Sequence, residues 1–361
     1  MKCLSNLSRL SYPAGLVTKL SKLYTFKGKD FYYEDVLKNY MPGIIKETIE
    51  KDTINCAKLL NLSVSENRTR LIVKKDAEPK TKEENILANL KLVFTIIQEK
   101  GTDLELTPNE FLHLATRIFQ GYEDVNYQVT TVIERVNLLD ERKKISKRET
   151  MEQLLDLYQK ALKRDKIEPT QVITNMYVDL LHLDCYTDHN EFLALVIAYC
   201  LLCSERFNVF KYISFFEKYH NKLEEFNTAT AASSFNWETG FSQTSMLNEA
   251  IIQLMLDGYE EVEKMTDNYL FDKRLKKIDN VETAILKMPK IFNRETIKEA
   301  CPHLSDSTIN RALAKLKSEG KIRPNGTGRS ATWVKLVPEE IFAPGSIQTN
   351  IFEYLKETDD E

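Results

Sequence analysis

Glycine and proline are both scarce in this chain, at 11 and 10 of 361 residues. That excludes collagen-like and low-complexity architectures and fits helices joined by short connections. No apolar run is longer than the twelve residues from Phe192 to Cys203. A membrane-spanning helix needs about 20, so no membrane partner is expected. The segment MKCLSNLSRLSYPAGL has a charged start but lacks the continuous apolar stretch of an export signal, and a cytoplasmic location is expected. Cysteine is thinly spread, at positions 3, 56, 185, 200, 203 and 301. Only Cys200 and Cys203 are close, with no second pair and no histidine at metal-binding spacing. Buried free thiols are therefore expected rather than a metal or redox centre. A net charge of −4 excludes a surface that coats nucleic acid or anionic lipid over its whole extent.

What the chain does have is that twelve-residue run. Free of Gly and Pro, it reads as a helix buried on all sides. A polar turn from Asp184 to Glu191 opens it, and the N-terminus of a buried helix is a natural place for an anion. The residues argue for a different use. Asp188-His-Asn-Glu191 reads as a capping box, with Asp188 as N-cap and Glu191 reaching back to its amide. Both carboxylates would then complement the positive helix end.

Other helix starts are marked by Ser65, by Thr81-Lys-Glu-Glu84, by Thr107-Pro-Asn-Glu110, by Ser146-Lys-Arg-Glu149 and by Pro169. Residues 1–30 read as an N-terminal extension broken by Pro13, Gly15 and Gly28, and a helical domain follows over 31–270. Val125, Tyr127, Val129, Thr131 and Ile133 alternate with the period of a strand, so a β-flap is expected over 121–135, with a protein as its partner. A long amphipathic helix is expected from Trp237 to Met265, and the basic stretch 271–278 reads as a linker.

Residues 279–337 form a second unit, and 338–361 an acidic tail. Asn293 and Ser305 are set as N-caps of two short helices. The second of these buries Ile309, Ala312, Leu313 and Leu316, and a turn and strand follow. Three helices followed by a hairpin resemble a winged helix-turn-helix. Between Ser305 and Leu336 there are seven Lys/Arg against two acids, a charge segregation in a chain that is acidic overall. Duplex DNA is the expected partner, met by Ser307, Asn310, Arg311, Lys315, Lys321, Arg323 and Arg329. Docking to a protein, or homodimerisation, is the other use of such a unit.

The order of elements resembles the Fic (Fido) family, across roughly residues 30–340. Three places carry the resemblance: Thr81-Lys-Glu-Glu-Asn-Ile-Leu at the start of a long helix, the alternating segment at 121–135, and Phe207-Asn-Val-Phe-Lys-Tyr-Ile-Ser after the buried helix. The resemblance implies an all-α, Fic-like helical bundle with a small β-hairpin flap, followed by a winged helix-turn-helix domain. It also implies a motif, His-Pro-Phe-x-Asp/Glu-Gly-Asn-Gly-Arg/Lys-x-x-Arg, at the head of the buried helix. Placed on it, Asp184 takes the position of the catalytic His, Cys185 that of Pro and Tyr186 that of Phe. Asp188 matches the acidic residue that holds Mg²⁺ and Asn190 the Asn. His189 and Glu191 replace the two Gly, and Phe192 and Leu195 the two cations.

The resemblance implies that the His deprotonates a target hydroxyl that attacks a nucleotide α-phosphate. A carboxylate at Asp184 is a weak base at neutral pH, and Glu191 puts negative charge where phosphate would lie. The family's inhibitory Glu corresponds to Leu60 and its Arg partner to Leu195. A regulatory, DNA-binding or adaptor protein without nucleotidyl transfer is therefore expected, with no cofactor. The alternative is a Mg-dependent transferase moving AMP from ATP to a protein hydroxyl, with Asp188 and Asn190 at the nucleotide and Asp188 on the metal.

Overall fold

The computed structural model describes residues 2–9, 12–136, 139–163, 167–274, 277–301, 304, 306–326 and 331–336, without the side chains of 131–143, 145 and 271–280. It divides into two compact units, Met1–Thr266 and Asp267–Glu361.

Among its described residues, the regular elements of the first unit are helices and one hairpin. A 3₁₀ turn at Leu4–Arg9 precedes α1 (Ala14–Lys27), α2 (Asp30–Leu37), α3 (Met41–Leu59), α4 (Glu66–Lys75), α5 (Lys82–Lys100) and α6 (Pro108–Phe119). Strands β1 (Val129–Val136) and β2 (Leu139–Ser146) follow. Then come α7 (Lys147–Leu162), α8 (Pro169–Leu183), α9 (Asn190–Ser204), α10 (Val209–Tyr212), α11 (Phe215–Asn221), α12 (Leu223–Ser234) and α13 (Ser245–Arg274). Side-chain hydroxyls cap four of these helices at the expected residues: Ser65 on α4, Thr81 on α5, Thr107 on α6 and Ser146 on α7.

Helix α9 is the axis of this unit, with Phe192 through Leu202 all buried. At its middle, Tyr199 packs among Phe94, Phe210, Phe215 and Phe216, with ring centroids 5.4–6.0 Å apart. Its hydroxyl is not stranded there, because Gln98 on α5 donates to it at 2.6 Å. Helices α8 and α13 are joined by buried amide and hydroxyl groups rather than by apolar contact alone. Gln171 bonds Thr244 and Asn248, Thr174 bonds Asn248, and Thr244 bonds Asn175, at 2.8–3.2 Å. That network fixes where α13 begins. The helix starts at Ser245, not Trp237, because Asn236 and Gly240 adopt left-handed φ values of 61° and 74° and end a 3₁₀ turn between them.

Residues 1–30 are built into this unit rather than trailing from it. Leu4, Leu7, Leu16, Leu23 and Phe26 are buried, and Gly15 lies within α1 instead of breaking it. The anchor is Asp179, fully buried on α8. Its carboxylate accepts the backbone N–H groups of Lys2, Cys3 and Leu4 and the indole N–H of Trp237, all at 2.8–3.0 Å.

The hairpin takes up the second half of the expected flap, from Val129, and runs on to Ser146. Strands pair from Val129↔Ser146 to Val136↔Leu139, while 121–128 is a loop carrying one isolated bridge, Tyr127↔Tyr186. Alternation at Val125 and Tyr127 reflects burial of both residues in that loop, not a strand. The expected linker over 271–278 is largely helical, with α13 running to Arg274 and α14 starting at Lys277.

The second unit runs α14 (Lys277–Lys287), β3 (Ile291–Asn293), α15 (Arg294–Ala300), α16 (Asp306–Ser318), β4 (Ile322–Asn325) and β5 (Thr332–Lys335). The sheet is antiparallel in the order β3-β5-β4. Strand β3 was not foreseen: it is three residues long and shares Asn293 with the cap of α15, whose Oδ1 accepts from Thr296 at 2.8 Å. Pro324 sits on edge strand β4, where a missing donor does little harm. A separate core holds Val281, Ile285, Phe292, Ile297, Ile309, Leu313, Leu316 and Ile322. Ser305, Arg329 and the tail 338–361 lie outside the described residues.

One buried acid makes the first unit sensitive to pH. Asp52 on α3 is fully buried and accepts from the Ser214 hydroxyl at 2.6 Å and the Phe216 amide at 3.0 Å. Burial pushes its carboxyl up to about 7, against those two bonds. The folded state therefore holds a proton that the unfolded chain releases near pH 4. Its contribution is complete below about pH 4 and is lost as pH rises through about 7. In calorimetric scans from about pH 5 to 8, Asp52→Asn should flatten the fall of the unfolding midpoint seen for the wild type. Parallel curves would assign that fall to other groups.

Candidate functional site

The polar turn at the head of α9 is held between the end of α8 and the distant 121–128 loop. Helix α8 ends at Asp184, in left-handed conformation with φ 42°. The chain then passes alongside the 121–128 loop: the Gln128 amide donates to Cys185, the Thr187 amide to Asn126, and the Asn126 amide to the Thr187 hydroxyl, at 2.8–3.1 Å. Tyr127 stacks on Tyr186 with centroids 5.1 Å apart, and its hydroxyl reaches the Pro108 carbonyl at 2.6 Å.

The expected capping box is not formed. The residue preceding α9 is His189, at φ 54°, and no side chain caps the helix. A capping box needs an N-cap in extended conformation, and a left-handed residue there aims the preceding side chain elsewhere. Asp188 Oδ1 accepts only the next amide, that of His189, at 2.8 Å. Asn190 closes the turn instead. Its Oδ1 accepts the Tyr186 amide and its Nδ2 donates to the Tyr186 carbonyl, both at 2.8 Å.

This turn forms one side of a cavity of about 860 Å³. Thr187, Asp188, His189, Asn190, Glu191, Phe192 and Leu195 line it from the turn and α9, Tyr177 and His182 from α8, and Leu60 from the end of α3. Its lining contains the two carboxylates of Asp188 and Glu191 and neither lysine nor arginine among the described residues. The two histidines of the lining, His182 and His189, are its remaining basic groups, and His189 is turned to Glu123. Leu60 and Leu195 both face the cavity, and Asp184 is exposed and outside it. Burial raises the Tyr177 phenol far above its usual range, with the hydroxyls of Tyr219 and Thr230 beside it.

At the rim stand Glu123, Asp188 and His189, each offering one ligand atom, all within 4.8 Å of one another. His189 Nε2 meets Glu123 Oε1 directly, and the His189 ring stacks on Phe119 at 4.0 Å. A nitrogen donor beside two carboxylates suits a first-row transition ion better than Mg²⁺, which takes oxygen ligands. Glu123 was missed in the sequence, where it stands 65 residues from Asp188 with no motif around it. Only the turn at Gly121, φ 81°, marks its neighbourhood.

In the second unit, Asn310 and Arg311 on α16 and Arg323 on β4 are exposed, as is Ser307. Lys321 pairs with Glu282 and, at 3.0 Å, with Glu319; Lys315 lies 3.6 Å from Glu319 and 4.0 Å from Glu282. Glu282 on α14 thus adds negative charge to a face that reads as basic in sequence. Lys335 is not on that face at all: it is buried, and its ammonium donates to the carbonyls of Leu286 and Met288 at the end of α14.

No family model and no curated protein sequence matches the chain. Solved structures do. A Fic family protein from Desulfovibrio desulfuricans G20 superposes with a TM-score of 0.58 at 12% identity, covering 91% of this chain and 98% of that one. A Fic domain containing signaling protein from Bacteroides thetaiotaomicron VPI-5482 superposes with a TM-score of 0.51, also at 12% identity, covering 69% of this chain and 98% of that one. The chain therefore has a mostly helical, Fic-like fold with a small three-stranded antiparallel sheet near its C-terminus.

Asn190→Ala leaves two main-chain groups of Tyr186 without partners. It should cost about 1–3 kcal/mol in urea unfolding, with Asn190→Asp, which retains only the acceptor, lying between it and the wild type.

Proposed function

We propose that the chain is a Fic-fold protein that has lost nucleotidyl transfer and acts as a regulatory or adaptor protein, contacting duplex DNA through a C-terminal winged helix. The observation that carries the first half is the cavity at the head of α9. A nucleotide bound there would set its phosphates against Asp188 and Glu191, with no lysine or arginine in the lining among the described residues. The residue at the position of the general base, Asp184, lies outside the cavity and ends α8 instead. The residues present do not fit a Mg–nucleotide complex.

Support for the second half comes from the order α14, β3, α15, α16, β4, β5 and from Arg311 and Arg323, exposed on α16 and β4. Short polar residues at the start of α16 suit entry into a major groove. Lys315 and Lys321 contribute less charge than their number suggests, because Glu282 and Glu319 stand beside them.

The remaining reading, Mg-dependent AMP transfer, draws only on the grouping of Asp188 with Glu123 and His189. Calorimetry with ATP, with and without Mg²⁺, separates the two. Silence is expected; saturable binding abolished by Asp188→Ala would overturn the proposal. For DNA, affinity should fall linearly with log salt, and Arg311→Ala and Arg323→Ala should each lower the slope by about one. Absent or salt-independent binding would leave the unit a protein-docking module.

A further inference from the structure

A site stripped of phosphate partners still has a shape and a charge. The cavity of about 860 Å³ is large enough for a small organic molecule. Its polar rim is acidic. Asp188 commits Oδ1 to the His189 amide, and Glu191, on the first turn of α9, is exposed. Its wall is apolar, with Leu60, Phe192 and Leu195 from two helices. Between rim and wall stands His182, whose ring stacks on Trp237 at 4.6 Å and whose Nε2 is buried without a hydrogen-bond partner.

The positive end of α9 points the other way, but a helix terminus carries only about half a charge. Two full carboxylates outweigh it, since the lining holds no lysine or arginine among the described residues and His189 is paired with Glu123. An acidic rim over an aliphatic and aromatic wall complements a cationic head on an apolar stem. We propose that this cavity binds an organic cation, a guanidinium or ammonium group carried on a short aliphatic chain. The head donates charge-assisted hydrogen bonds to Asp188 and Glu191, and the stem lies along Leu60 and Leu195. The inference rests on the loss of phosphate binding proposed above, since a nucleotide would occupy the same space.

That chemistry has two sources, a free amine or the side chain of an Arg or Lys in a peptide. Calorimetry on the full chain distinguishes them with agmatine and with acetyl-Gly-Arg-Gly amide, and ATP with Mg²⁺ serves as a third titrant. Saturable binding of at least one cation is expected, weakened roughly tenfold or more in the Asp188→Asn/Glu191→Gln double variant. The tighter of the two names the source. Both substitutions preserve shape, and Asp188→Asn keeps a carbonyl oxygen to accept from the His189 amide; an unchanged unfolding midpoint checks that the fold survives. The inference is overturned if neither cation binds the wild type, or if the double variant binds equally well. Silence from cations and ATP together removes this inference alone, whereas ATP binding removes the loss of nucleotide transfer and this inference with it.

Discussion

A helix buried on every side can present polar chemistry only at its ends. That constraint governs the first unit. From Phe192 to Leu202, α9 offers apolar side chains in all directions, and burying each of its Phe, Leu, Val and Ile side chains is worth about 1.5–3 kcal/mol. The one hydroxyl within that stretch, on Tyr199, is answered by Gln98 from a different helix. Everything that could meet solvent, an ion or a ligand is therefore gathered at the N-terminal turn, and other segments are recruited to hold that turn in place. The 121–128 loop binds it from one side and Asn190 ties it from within.

How much of this could be read from residue order depends on whether the cause was local. Ser65, Thr81, Thr107, Ser146 and Asn293 are caps in the sequence and caps in the structure, because a cap needs only its own residue and the amide two or three positions on. The buried character of α9 was equally plain from its length without a polar residue. Asp188-His-Asn-Glu191 has the letters of a capping box but not its backbone. Whether His189 turns left-handed is settled by the loop packed against it, which the four residues do not encode. Glu123 joins Asp188 and His189 for the same reason, through a chain path with no spacing rule. Residues 129–135 of the expected flap are strand, whereas the alternation at Val125 and Tyr127 comes from their burial in a loop and only imitates one.

Charge tells a parallel story in the two units. The turn of α9 has Glu191 where the resemblance implies a Gly, and Phe192 and Leu195 where it implies two cations. The cavity lining keeps Leu60 and Leu195 where it implies an acid and its Arg partner. An apolar pair there avoids desolvating two charges. In the second unit the basic letters of the sequence overstate the field, since Glu282 and Glu319 stand beside Lys315 and Lys321 and Lys335 is spent on closing α14. In both units the net field follows from which charges are paired, not from how many are written.

Asp179 gathers the amides of Lys2, Cys3 and Leu4 together with the indole of Trp237. This makes docking of residues 2–4 a late event in synthesis. Their acceptor lies more than 170 positions downstream, and the indole that completes the site follows later still. At about 5–20 residues per second, that segment waits on the order of ten seconds or more before it can dock. During that wait the apolar side chains of Leu4 and Leu7 have no native partner on α8. Closure around Asp179 ends that wait by giving the amides of Lys2, Cys3 and Leu4 their acceptor.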